Sequence, residues 1–491
     1  MNVCNTVSVL TRLLRTPMLF ALTGLLICTS TRVFSQTSAE RTQPQTKADG
    51  TVSSESFLSQ LREAARLLQL GKPDEAEPIL RQVISVAPRH PDAHNLLGTI
   101  LDQRGKFKDA EREYREALRL NPNMVSPLAN LGVLLARTGR SDEAVKAFES
   151  VLRKAPHHPQ STLNLGLQFV ARGDHARGAP LLKLARGLGL DSYQLEYNLG
   201  LASYNLKQYD EASTALESAS AFSPNSAEPL YYLGLIAWAR GQDETAANFW
   251  DRAVQLRPIF PEANFMLGEA LRKNSRAEAS IAFYQRALDQ DPGKFVYYAR
   301  LGGAYVMLGQ SEEALEVFRR GQKRFPKLPE AHYFVGIAAR AKADYDLAEA
   351  ELRKSLALRP DNVDTLAQLG FIVGERDRQL EAEKLLRRAI VINDKHFYAN
   401  YDLGRILVKL KRYKEALAVL KHAATLKARN PGVHYQMFIA FSRLRLKDEA
   451  ERELAIFKQL EADRKARPRS EQDDIENPEN TSSESQSPGV S

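Results

Sequence analysis

Residues 91–124 of the chain are PDAHNLLGTILDQRGKFKDAEREYREALRLNPNM, and residues 125–158 are VSPLANLGVLLARTGRSDEAVKAFESVLRKAPHH. Both stretches place a Leu-Gly pair, an alanine, an aromatic residue and a proline at the same distances from their first residue. Glycine then recurs every 34 residues from Gly98 to Gly404, and alanine and proline follow the same period or multiples of it. Three residue types that share one period indicate an array of structural repeats.

Each 34-residue repeat is predicted to fold as two helices joined by a turn. Apolar and small residues at helical spacing predict a first helix over 92–104 and a second helix over 108–120. Pro122 ends the second helix because proline lacks an N–H group and disfavours helix in the residue before it. No stretch alternates with a period of two, so no sheet is expected. Twelve repeats fill residues 57–464, beginning at 57, 91, 125, 159, 193, 227, 261, 295, 329, 363, 397 and 431.

The recurring glycines predict tight contact between helices. A glycine inside a helix costs about 1 kcal/mol relative to alanine, so ten of them need a compensating gain in packing. The missing side chain should let the partner helix approach closely. We therefore expect leucine at such a position to destabilise the fold by overpacking.

This pattern resembles the tetratricopeptide repeat family, whose helix–turn–helix unit has 34 residues. The residues that match in order are Leu96-Leu97-Gly98, Ala110, Tyr114, Ala117 and Pro122, and the resemblance extends over 57–464. It implies an all-α, right-handed superhelical solenoid of about twelve repeats. It also implies a concave groove, lined by the first helix of each repeat, in which a partner polypeptide is bound.

The N-terminal residues differ in composition from the repeats. Arg12 and Arg15 precede an apolar run of twelve residues, 17–28, which is shorter than the roughly 20 residues of a membrane-spanning helix. A basic start, a short apolar run and the small pair Val33 and Ser35 predict a signal peptide over 1–35. The protein is then periplasmic or secreted. The alternative is an uncleaved segment that anchors the chain to a membrane.

Two polar segments flank the predicted solenoid. Residues 36–56 contain one apolar side chain larger than alanine, Val52, and are predicted to be a flexible linker. Residues 465–491 lose the apolar periodicity and are predicted to be a disordered acidic tail.

Composition and motifs exclude several classes of function. Hydrophobic residues make up 43% and charged residues 26% of the 491 positions, which excludes collagen-like, wholly disordered and polytopic membrane proteins. Both cysteines, Cys4 and Cys28, lie in the predicted signal peptide, so the mature chain has no thiol nucleophile and no Cys-bound zinc. We find no zinc-protease, serine-hydrolase or phosphate-loop motif. We expect a protein that is not an enzyme and has no metal and no small-molecule cofactor.

Two sets of residues are candidates for partner binding in the groove. The resemblance places the fifth residue of each repeat there, and aromatic rings with a polar tip are good interface anchors. These residues are Tyr197, Tyr231, Phe265, Tyr333, Tyr401 and Tyr435. The alternative is that this position is aromatic for packing between helices. The sixth position carries Asn130, Asn164 and Asn198, whose amides could bond the backbone of an extended peptide. We expect the main partner site within 125–328.

Repeat eleven, residues 397–430, is strongly basic. It holds eight Lys and Arg residues against two acids, while the whole chain carries a net charge of +8. The predicted basic patch consists of Arg405, Lys409, Lys411, Arg412 and Lys414. It favours an acidic partner or an anionic surface, and the alternative is a solvated face without a partner. The acidic tail follows closely, and we expect it to screen this face.

The sequence thus predicts an exported, non-catalytic scaffold that binds another protein in its groove. One alternative is a module that binds envelope polysaccharide, because aromatic surfaces also bind sugars. Another is an accessory arm of an envelope enzyme whose catalytic subunit is a separate chain. We expect no nucleic acid as partner, because no base-stacking or groove-binding motif is present.

Overall fold

The computed structural model describes residues 54–274 and 276–466. The predicted signal peptide, most of the predicted linker and nearly all of the predicted acidic tail lie outside the described residues. Two boundaries differ slightly from the sequence-based ones: the first helix begins at Ser54 and the last ends at Ala466. Short polar residues such as those at 54–56 are compatible with a helix N-terminus.

The described residues form twenty-four α-helices and no strand, arranged as twelve consecutive pairs. The predicted all-α solenoid of twelve helix pairs is confirmed. The helices are α1 (Ser54–Gln69), α2 (Pro73–Val86), α3 (Pro91–Gln103), α4 (Phe107–Leu120), α5 (Val125–Arg137), α6 (Ser141–Lys154), α7 (Pro159–Ala171), α8 (His175–Gly187), α9 (Tyr193–Asn205), α10 (Tyr209–Phe222), α11 (Ala227–Ala239), α12 (Asp243–Leu256), α13 (Pro261–Lys273), α14 (Ala277–Gln290), α15 (Phe295–Met307), α16 (Ser311–Arg324), α17 (Pro329–Ala341), α18 (Tyr345–Leu358), α19 (Val363–Glu375), α20 (Gln379–Ile392), α21 (Phe397–Lys409), α22 (Tyr413–Leu426), α23 (Pro431–Arg443) and α24 (Lys447–Ala466).

Local signals in the sequence set where these helices begin and end. Five first helices begin with proline, as α3 does with Pro91, because proline has the right φ for the first helical position and its missing N–H needs no partner there. The turn to the second helix contains a left-handed residue, such as Gly105 at φ 71°. Its amide donates to Asp102 O at 3.0 Å, which closes the end of α3.

The mid-helix glycines give room to a large side chain sixteen residues later. A Cβ on Gly98 would lie 2.7 Å from Cε1 of Tyr114, and a Cβ on Gly132 would lie 2.6 Å from Cε1 of Phe148. Leucine takes the place of the ring in other repeats, as at Gly370 and Leu386. The predicted close approach is confirmed, and the group that approaches the glycine is a ring or a leucine of the second helix.

The described chain divides into two compact parts, which we call the N-terminal half (54–236) and the C-terminal half (237–466). The boundary lies within α11. Each half has its own buried core between first and second helices. In the N-terminal half Tyr114 and Phe148 are fully buried, and in the C-terminal half Tyr284 and Phe318 are.

A buried histidine connects three structural elements in three of the repeats. The residues are His94, His332 and His434, each the fourth residue of its repeat. In each case Nδ1 lies 2.7 Å from a glutamate of the second helix, namely Glu113, Glu351 and Glu453. Nε2 lies 2.9–3.0 Å from a carbonyl oxygen of the preceding turn. The histidine therefore ties the first helix to the second helix and to the repeat before it.

Candidate functional site

The three predicted asparagines lie on α5, α7 and α9, and each already bonds within the chain. Asn130 Nδ2 donates to Asn95 Oδ1 at 3.2 Å, and Asn198 Nδ2 donates to the carbonyl oxygen of Gln194 at 2.7 Å. Asn164 is buried and accepts a bond from Gln160 at 3.3 Å. Each side-chain amide therefore already makes a hydrogen bond within the chain. A partner could bond only to the donor and acceptor positions that these amides have left.

The predicted aromatic stripe separates into exposed and buried members. Tyr435 is 41% exposed, while Tyr197, Tyr231 and Tyr401 are half-buried. Phe265 and Tyr333 are only 4% and 7% exposed, so these two rings do not line an open surface.

Packing between helices explains the two buried rings. The Phe265 ring centre lies 5.8 Å from that of Tyr284 and 5.1 Å from that of Tyr297. Tyr333 belongs to the same buried hydrophobic cluster, which also includes Leu352 of the second helix α18. At these two positions the aromatic ring packs between helices, which is the alternative to partner binding given above.

Six tyrosines gather on α9, α10 and α11, and we call them the tyrosine cluster. They are Tyr193, Tyr197, Tyr204, Tyr209, Tyr231 and Tyr232, and all six are half-buried. Tyr193 stacks on Tyr197, with ring centres 5.6 Å apart and planes 3° apart. Tyr232 sits between the helices, 6.2 Å from Tyr197 and 5.4 Å from Tyr204. Neighbouring first helices thus share one aromatic surface.

The hydroxyl groups of Tyr193, Tyr197 and Tyr204 keep their protons at neutral pH. Burial raises the pKa of Tyr204 to about 12. Burial also raises the pKa values of Tyr193 and Tyr197 above the ordinary value of 10.0. Each ring therefore offers an apolar face together with an O–H that can both donate and accept a hydrogen bond.

The predicted basic patch carries less free charge than the composition of repeat eleven indicates. Arg405 pairs with Asp402 at 3.0 Å and with Glu375 at 2.9 Å. Arg412 pairs with Glu383 at 2.8 Å. The three predicted lysines are different: Lys409, Lys411 and Lys414 are exposed, and the shortest ion pair of Lys409 is 4.0 Å, to Glu375. Within the predicted patch, the exposed charge is therefore carried by the three lysines.

A second group of aromatic and charged side chains lies on α17, α19 and α21. The Phe371 ring lies 5.3 Å from the guanidinium carbon of Arg340 and 5.5 Å from that of Arg405. We call these three residues the arginine–phenylalanine cluster. Asp402 is buried beside it, and its burial, which outweighs the attraction of Arg405, raises the pKa of its carboxyl group from 3.8 to about 6.

The described residues, 54–274 and 276–466, contain no grouping of three or more His, Cys, Asp or Glu side chains suited to a metal ion. Nor is any helix in those ranges both long enough and apolar enough to cross a membrane.

Comparison with known families identifies the repeat. Three sequence models of the tetratricopeptide repeat match the chain and together cover more than half of it. The matched residues are 61–125, 197–258, 233–295 and 380–432 for the first, 103–162 and 271–336 for the second, and 329–362 for the third. The chain is a tetratricopeptide repeat protein. This assignment supports a role as a protein–protein interaction scaffold.

Individual relatives of this tetratricopeptide repeat protein are distant. Human tetratricopeptide repeat protein 7B is 26% identical over 131 residues, which are 27% of this chain and 16% of the human protein. Type IV pilus assembly protein PilF of Pseudomonas aeruginosa is 25% identical over 142 residues, which are 28% of this chain and 56% of PilF. This chain thus spans less than two thirds of either relative.

A solved structure with a related arrangement is that of the APC/C hetero-tetramer Cut9–Hcn1. The likeness has a TM-score of 0.42 at 13% identity, and it covers 87% of this chain and 96% of the compared chain.

Proposed function

We propose that the protein is an exported, non-catalytic scaffold that holds an extended segment of a partner protein on its first helices. The tyrosine cluster is the observation that carries this proposal. It concentrates six half-buried aromatic rings on adjacent helices, and tyrosine is enriched among the residues that dominate interface energies.

The cluster suits a polypeptide for two reasons. Its rings can bury apolar side chains, while the protonated hydroxyls can bond backbone carbonyl and amide groups. Asn198 lies on the same helix as Tyr193 and Tyr197, so an amide with some free bonding capacity stands next to the rings. A segment bound there would contact α9 and α11 together.

Replacing Tyr197 with alanine is expected to weaken partner binding by about thirtyfold, because truncating a well-packed interface anchor costs about 2 kcal/mol. Full-length protein would be immobilised, a partner captured from native extract, and its affinity measured after purification. Phe222→Ala is the matched control, since Phe222 is 47% exposed at the end of the second helix α10. Both variants must first show unchanged helix content.

Two outcomes would count against this assignment. Equal affinity of the Tyr197→Ala and Phe222→Ala proteins would remove the tyrosine cluster from the binding site. Capture that disappears when the extract is first treated with glycan-degrading enzymes would favour a polysaccharide as the ligand.

Export rests on the composition of residues 1–35. We expect the mature chain to begin at Gln36, because Val33 and Ser35 form the small pair that signal peptidases require. N-terminal sequencing of protein from the native source would test this. Membrane-bound material that still begins with Met1 would establish an uncleaved anchor instead.

A further inference from the structure

One guanidinium on the first helices of the C-terminal half forms no direct ion pair, although its charge attracts the buried carboxyl group of Asp402. Arg340, near the end of α17, is half-buried, and its Nε is sealed from solvent without a hydrogen-bond partner. Its position over Phe371 holds the group in place. In the part of the chain that the structure describes, 54–274 and 276–466, no acid forms an ion pair with Arg340. Asp402 is already bonded to Arg405 at 3.0 Å, so the guanidinium of Arg340 has bonding capacity left for a carboxylate of a ligand.

The acids near this cluster already bond other side chains, and two of them share Arg405. The pairs are Asp402–Arg405 at 3.0 Å, Glu375–Arg405 at 2.9 Å and Asp364–His396 at 3.2 Å. A guanidinium can donate two parallel bonds to one carboxylate, which is its preferred partner geometry. The missing ligand of Arg340 is therefore best matched by a carboxylate from outside the described residues.

Further positively charged side chains lie at the end of α21 and in the residues that follow it. Lys409 ends α21, and Lys411 and Lys414 lie just beyond it, all three exposed. An occupant with several carboxylates in sequence would meet Arg340 at one end and these lysines at the other.

The chain itself contains such an occupant. Residues 471–484 are EQDDIENPENTSSE, with six acids and no basic residue. Successive packed helices lie about 10 Å apart, so α17 is on the order of 30 Å from α23. Eighteen residues separate Ala466, the end of α24, from Glu484, and an extended chain of that length spans about 60 Å. The acidic segment is thus long enough to reach Arg340.

We propose that the acidic segment 471–484 binds the arginine–phenylalanine cluster of its own chain, with one carboxylate on Arg340 and others on the three lysines. This site lies in the C-terminal half and is independent of the tyrosine cluster. The segment would occupy the first helices of repeats nine to eleven until a more acidic partner displaced it.

Carbodiimide coupling of the full-length protein tests this, because it joins a lysine amine to a carboxylate in direct contact. At low salt, mass spectrometry should find products that join Lys409, Lys411 or Lys414 to acids of 471–484. Mixing ¹⁵N-labelled with unlabelled protein distinguishes coupling within a chain from coupling between chains. Lys323, near the end of the second helix α16, serves as the reference lysine.

Three variants make the test specific. Arg340→Gln should lower the yield of these products about tenfold, since a charge-assisted pair is lost. Arg320→Gln, an exposed arginine on α16, should leave the yield unchanged. Asp402→Asn should raise it, because a neighbouring negative charge is removed. Equal yields in the Arg340→Gln and unmodified proteins, products that join labelled to unlabelled chains, or equal coupling at Lys323 would each overturn the proposal.

Discussion

Leucine in place of Gly132 is expected to destabilise the N-terminal half by about 3 kcal/mol, at the upper end of overpacking effects. Even a Cβ at this position would lie 2.6 Å from Cε1 of Phe148, whose side chain is fully buried. The ring cannot move away without opening the contact between α5 and α6. Urea unfolding followed by circular dichroism would measure the loss.

Gly187 provides the matched control. It ends α8 in the same half, and a Cβ there would meet no atom within 4 Å. Because leucine is a better helix former than glycine, Gly187→Leu should raise stability by about 0.5–1 kcal/mol. We therefore predict that the two substitutions change the free energy of unfolding in opposite directions. Destabilisation of similar size at both positions would mean that the loss at Gly132 does not come from the limited space beside Phe148.

Asparagine in place of Asp402 is expected to stabilise the protein at pH 8 and to stabilise it about one third as much at pH 4.5. The folded-state pKa of Asp402 is raised from 3.8 to about 6, chiefly by burial. The stability that this group contributes is therefore fully present below pH 3.8 and is lost as the pH rises through 6. A pKa shift of this size lowers the free energy of unfolding by about 3 kcal/mol at pH 8. Asparagine removes that penalty and can still accept a bond from Arg405.

Unfolding midpoints of the Asp402→Asn and unmodified proteins, compared at both pH values, test this expectation. Asp361→Asn is the control, because the side chain of Asp361 is 78% exposed and its pair with Arg388 lies at the surface. Exposed pairs contribute at most about 1 kcal/mol, so this control should change little at either pH. Destabilisation of the Asp402→Asn protein at pH 8 would show that the pair with Arg405 outweighs the cost of burial.

The fold could be predicted from the sequence because the repeat period and the helix signals are local. The helices expected over 92–104 and 108–120 are found at Pro91–Gln103 and Phe107–Leu120. Proline, glycine and apolar spacing act within a few residues, so they could be interpreted without knowing the neighbouring repeats.

The candidate site was harder to predict because it depends on contacts between repeats. The acids that pair with Arg405 and Arg412 include Glu375 and Glu383, which lie about thirty residues earlier in the chain. A charge count within repeat eleven could not include them. Likewise, the fifth position gives a buried ring at Tyr333 and an exposed one at Tyr435, because the residues packed against each ring differ.

Some of the missed residues did leave a signal in the sequence. Tyr193 and Tyr204 were missed, and they lie four residues before and seven residues after the predicted Tyr197, which places all three on one face of a helix. Applying this spacing rule to all tyrosines would have found half of the cluster. Tyr232 follows Tyr231 directly, and only the packing of α11 against α9 shows that it joins the same surface.

The central claim is that a partner polypeptide is held on the first helices at the tyrosine cluster. Photo-crosslinking tests it most directly, with a photoreactive phenylalanine analogue placed at Tyr231 in one protein and at Phe222 in another. After irradiation in native extract, mass spectrometry identifies the attached peptide. We predict that position 231 captures a defined segment of one protein and that position 222 does not. The same products at both positions, or none at 231, would contradict the claim.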